Sequence, residues 1–210
     1  MKPLLAIMGI VILAGLWFGP LPQLARQAFF AHMTLHMGVV AVAAPLLALA
    51  AAGTVFDPVK HWPRMFPPVP LSILELVAVW AWHTPALHHA ARNSLAGFVF
   101  EQSVFLVAGL LVWLSAFGGG RIQGSGRKAT GVVALLLTSM HMTLLGALLA
   151  LSPRPLYQHV GGVQLLTPLD DQHLGGAVML LVGGISYLAG GLWLTVDLVR
   201  GVAAGREEAA

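Results

Sequence analysis

Nine histidines and eight methionines, with no cysteine, carry most of the chemistry this 210-residue chain can offer. The tightest group is HMTLHM, His32 to Met37. On a helix the i,i+4 spacing stacks His32 over His36, while Met33 and Met37 form a parallel stripe about 100° round the axis. Two imidazoles beside thioethers suit Cu(I), which accepts borderline nitrogen and soft sulfur and asks for no proton to be lost at neutral pH. The plainer role for such residues is structural, with histidines bonding neighbouring helices and methionines filling gaps. A second group is WHTPALHH, Trp82 to His89. Pro85 removes a donor and crowds the preceding turn, which presents His83 at a kink facing the bundle interior. Trp80 and Trp82 read as interfacial anchors, and His88 and His89 as ordinary headgroup-level residues. The third group, MHM, sets His141 and Met142 inside an apolar segment. In the fourth, LDDQHLGGAVM, Asp170 or Asp171 suits the N-cap of a helix, and His173 points from its first turn toward the other histidines.

The missing cysteine excludes a disulfide framework, a thiolate zinc or iron–sulfur site, a CxxCH haem attachment and a CxxC copper chaperone. Any metal falls to His, Met and carboxylates. The chain has no GxSxG elbow, no HExxH and no phosphate loop, so it reads as a protein without hydrolytic chemistry and not as an enzyme.

Helices in lipid must position these groups. With 58% hydrophobic and 9% charged residues, and a mean hydropathy of +0.83, the chain has too little polar surface for a water-soluble globule. The expected fold is an all-α integral membrane protein, a single polytopic domain over 1–210 with about six transmembrane helices near 3–18, 28–51, 71–90, 95–117, 130–151 and 174–198. Breakers separate them: GPLPQ, DPVKHWPRMFPPVP, GGGRIQGSGRK and SPRP. The first segment lacks a small-x-small cleavage site and reads as a retained span rather than a signal peptide. The formal charge of +3 lies between apolar runs, a pattern of membrane orientation and not of nucleic-acid binding. With the N-terminus inside, Lys2, Lys60, Arg64, Arg121, Arg127, Lys128, Arg200 and Arg206 face inward, and only Arg26, Arg92 and Arg154 face outward. The positive-inside rule therefore predicts N-in and C-in.

On that map His32, His36, His83, His88, His89, His141, His159 and His173 fall in the outer half or outer loops, and His61 alone falls inside. His141 lies about 15 Å below Leu151 and His36 about 12 Å below Ala28, so the two meet if the second and fifth spans are neighbours. Glu101 stands toward the outer side as a candidate partner of a histidine. Glu75 lies a turn inside the other end, with Lys60 or Arg64 in reach. The pairs Gly175/Gly176, Gly183/Gly184 and Gly190/Gly191 make a smooth packing face.

Taken in order, HMTLHM, WHTPALHHAA, LLGALLALSPRPLY and DQHLGGAVM resemble the CtaG family of multi-pass cytochrome c oxidase assembly factors, over about residues 30–180. The likeness covers His32, Met33, His36 and Met37, His83 with Pro85, residues 145–157 and residues 171–179. The chain departs from the family where a histidine is common early in the fourth span, since Gln102 stands there beside Glu101, and many members have seven spans. The resemblance implies maturation of a haem–copper oxidase in a bacterial cytoplasmic (inner) membrane, with Cu(I) delivery as the expected role. On this reading His32 and His36 are the first ligands, His83 and His141 complete the set, and Met33, Met142 and His173 assist. Expected partners are terminal oxidase subunits or periplasmic copper chaperones, with membrane lipid around the bundle and no nucleic acid. The residues also admit a b-type haem protein, with His36 and either His141 or His83 as axial ligands. A transporter is a third reading, opposed by an inner half that offers only His61 and Glu75 to a polar path.

Overall fold

Proline occupies the first or second position of helix after helix, where its missing N–H costs nothing and its fixed φ suits the first turn. The computed structural model describes residues 1–120, 124–157 and 166–207; His159 and Arg121 lie outside them. Among the described residues the chain is helical, without strands. Helix α1 spans Lys2–Phe18 and α2 Leu21–Gln27, with a bend of 50° between them. Helix α3, Phe29–Met37, passes through a π-helical segment, Gly38–Ala43, into α4, Ala44–Ala51. Short α5, Pro58–His61, precedes α6, Pro68–Trp82, and α7, Pro85–Asn93. Long α8, Leu95–Phe117, and α9, Ser125–Ala150, follow. Helix α10, Pro168–Val178, runs through a second π segment, Met179–Gly183, into α11, Gly184–Glu207.

Four of these helices are long and apolar enough to cross a membrane: Phe29–Ala51, Leu95–Phe117, Ser125–Ala150 and Pro168–Gly201. The bent pair α1 and α2 makes a fifth if it is one span. Among the described residues the expected count of about six is thus not confirmed, and the third segment is the clearest departure. A continuous helix over 71–90 was the expectation, but α6 stops at Trp82. Thr84 adopts an extended conformation ahead of Pro85, as residues before proline do, and the chain restarts as α7. The 15 residues of α6 rise only about 22 Å, short of the ~30 Å of a hydrocarbon core. Exposed apolar side chains cover the outside, among them Val11, Val107, Leu144, Leu148, Ile185 and Leu192, as expected of a bundle solvated by lipid.

The core has two kinds of fastening. Glycine lets α9 and α10 touch backbone to backbone: a Cβ added at Gly146 would stand 3.0 Å from the carbonyl oxygen of Gly176. The first π segment frees carbonyls from the helical ladder, and side chains take them up. The indole of Trp113 donates to Val40 O at 3.0 Å, and Ser186 donates to Ala41 O at 2.6 Å. Glu75 belongs to this region and does not pair with Lys60 or Arg64. It is fully buried, accepting from Tyr187 at 2.6 Å and from Thr138 at 3.1 Å, and Ser72 bonds Thr138 at 2.9 Å. Its depth on α6 turns it toward α9 and α11, and Lys60 bonds Gly53 O instead.

Candidate metal centre

The first turn of α3 carries His32, so the placement of that turn decides where the histidine stands. Its leading amides are capped from another helix: Asp171 of α10 accepts from the N–H of Phe29 at 2.7 Å and of Phe30 at 2.8 Å. A carboxylate at a helix N-terminus satisfies open donors and meets the positive end of the helix dipole. Asp170 or Asp171 was expected to cap its own helix; Thr167 does that, accepting from Asp170 N at 3.2 Å. The two residues after Asp171 extend the clasp. Gln172 accepts from Leu156 N at 2.6 Å and donates to Leu149 O at 3.2 Å, and the His173 ring donates to Ser152 O at 2.9 Å.

Behind that clasp the rings converge. His32 and His36 are both buried, one turn apart. The His32 ring lies 6.4 Å from that of His83 and 4.8 Å from that of His88, and His36 lies 5.4 Å from His83. Nε2 of His32 is 3.8 Å from a Glu101 carboxylate oxygen. One ligand atom each of His32, His88 and Glu101 fall within 4.8 Å of one another, a spacing that can hold a metal ion. Aromatic side chains wall the cluster. Phe105 meets His36 at 3.9 Å, and Tyr157 stacks on Phe29 at 4.4 Å and also meets His88 at 4.4 Å. The Tyr157 hydroxyl donates to His83 O at 2.6 Å, tying the end of α6 to the chain after α9.

Hydrogen bonding sets which nitrogens are free. His83 Nδ1 donates to Val79 O at 2.6 Å, which leaves the Nε2 lone pair toward the cluster. Arg92 donates to His88 Nε2 at 3.1 Å and also to Arg26 O. Burial, and then the neighbouring His32 and Arg92, hold His88 well below the usual imidazole range, so it is neutral at pH 7. Six buried atoms of the cluster have no hydrogen-bond partner: His32 Nε2, both nitrogens of His36, His83 Nε2, His88 Nδ1 and Glu101 Oε1. Buried polar groups are nearly always paired, and each left unpaired costs about 1–3 kcal/mol. Neutral imidazoles with free lone pairs and one carboxylate are donors that a metal ion satisfies.

The other expected ligands stand elsewhere. His141 is buried in α9 with both nitrogens unpartnered, and it makes no ring contact with the cluster among the described residues. Met33 packs at Gly175, while Met37 and Met142 converge on Gly183 in the second π segment. The second span packs chiefly on α1, α8 and α10 rather than on α9.

A family described as cytochrome c oxidase caa3 assembly factor (Caa3_CtaG) matches residues 2–201. The chain belongs to this family. No curated protein and no solved structure matches it. In this caa3 assembly factor the two cluster members least visible in the sequence are His88 and Glu101. His88 is five residues from His83, a spacing that would set them on different faces of an unbroken helix. The break at Thr84 lets α7 turn His88 back inward. Glu101 is nearly two turns into α8, and the neighbouring Gln102 donates to it at 3.4 Å.

Proposed function

We propose that this assembly factor binds Cu(I) in the buried histidine cluster, on the outer side of a bacterial cytoplasmic membrane, and passes it to a haem–copper oxidase or its copper chaperones. Copper is the cargo. His32, His36, His83 and His88 would hold it as neutral imidazoles, with Glu101 offsetting charge and His141 as the ligand that α9 can add. Met33, Met142 and His173 would assist only as auxiliaries. The observation that carries the reading is the set of six buried, unpartnered polar atoms gathered from α3, the end of α6, α7 and α8. Imidazole nitrogen without acidic protons suits a soft monovalent ion. The wall of Phe29, Phe105 and Tyr157 keeps water from the ion.

Terminal-oxidase activity in host membranes tests this. His36→Ala, at matched protein level, should lower activity strongly, and His61→Ala should leave it unchanged, because His61 bonds Asp57 O at the opposite end. Added copper should restore activity to the His36→Ala strain. Equal, mild effects of the two substitutions would contradict the reading.

A further inference from the structure

We infer that the cluster is two metal sites one helical turn apart, differing in charge. The inference rests on the copper reading above and adds how the ligands divide. His32, His88 and Glu101 form a compact group whose ligand atoms lie within 4.8 Å of one another, and among the described residues that group does not extend to His36 or His83. His36 sits a full turn further along α3, where its ring meets His83 at 5.4 Å and is backed by Phe105 at 3.9 Å. Each ring of the pair can offer one unpartnered nitrogen, His83 through Nε2 and His36 through either ring nitrogen, so the pair does not need the first group to complete a two-coordinate ion.

The two sets have different chemistry. Two imidazoles and a carboxylate are a His2Glu donor set, able to neutralise part of a divalent charge, and such sets hold Zn(II) as well as copper. His36 and His83 bring only neutral nitrogen within apolar walls. A divalent ion there would be a buried, uncompensated charge, whereas Cu(I) carries a single charge and tolerates few ligands. The first site also carries a competitor. Arg92 donates to His88 Nε2, so a metal that takes His88 must first displace this bond, and the second site has no such guard. The first site is therefore the one that opens toward α7, and the second is the deeper store.

Titrating the purified full-length chain with Cu(I) against a chromogenic chelator, under reducing conditions, and separately with Zn(II), tests the division. The wild type should take two equivalents of Cu(I) and one of Zn(II). His88→Ala/Glu101→Gln should keep one equivalent of Cu(I) and lose Zn(II). His36→Gln/His83→Gln should keep Zn(II) at unchanged affinity and lose one Cu(I). Glu101→Gln alone, which preserves size and hydrogen bonding, should weaken Zn(II) more than about tenfold and leave one Cu(I) untouched. A wild type that takes only one Cu(I), abolished by either double variant while elution and helical content stay native, would overturn the division and leave the copper reading standing. Zn(II) binding indifferent to Glu101→Gln would overturn it too. A wild type that binds neither ion would sink the copper reading itself.

Discussion

Spacing alone announced His32 and His36, because a four-residue step on a helix has one meaning for side-chain direction. His83 was legible through Pro85. His88 and Glu101 were not, since one needed the helix to break and the other needed α8 to turn its first buried face toward α3. His141 illustrates the converse: its apolar surroundings and methionine neighbours are plain in the sequence, yet nothing there tells which helix it faces. The same holds for Tyr157, whose hydroxyl fixes His83 O and whose ring covers His88. Tyr157→Phe keeps the ring and loses one buried hydrogen bond, worth about 1 kcal/mol. For a chain of this size the thermal midpoint in detergent should fall by about 2–4 °C. Copper affinity should fall with it, because the end of α6 is less firmly held. An unchanged midpoint would show that this bond does not brace the cluster.

Elements were easier to find than their ends or their partners. Long apolar runs between Pro- and Gly-rich breakers mark α8, α9 and the helix through α10 and α11, and the paired glycines marked a close-packing face, which at Gly176 meets α9. The third segment was misjudged because Pro85 was taken for a kink where Thr84 ends the helix, and the π segments left no trace, since Gly38–Ala43 is apolar like its flanks. Asp170 or Asp171 was read as a local cap because local caps are the common case, but Asp171 caps α3 from across the bundle. Asp171→Ala therefore should lower stability by about 1–2 kcal/mol and weaken copper binding in the same protein, since the turn it holds carries His32. Asp170→Ala should do neither. Thermal melts paired with Cu(I) titration check both, and equal effects of the two substitutions would contradict the cross-bundle cap.

At the scale of the whole molecule, composition identified a lipid-solvated helical bundle, and the basic residues suggested its orientation. Lys60, Arg64, Arg127 and Lys128 gather at the end opposite the histidine cluster, as an inward-facing rim requires. A topology reporter fused after Arg206 should accordingly read as cytoplasmic, and one inserted near His159 as periplasmic; the reverse pattern would turn the cluster to the wrong side for delivery to an outward-facing acceptor. Helix order was out of reach, because apolar faces of similar composition pack on one another with little in the sequence to choose among them. The central claim is that the buried histidines hold copper, and metal analysis of the protein purified under reducing, copper-replete conditions addresses it most directly. The wild type should retain copper, and the His32→Ala/His36→Ala protein, purified the same way, should have lost it. Copper-free wild type, equal copper in both proteins, or a Soret band in place of copper would contradict the account.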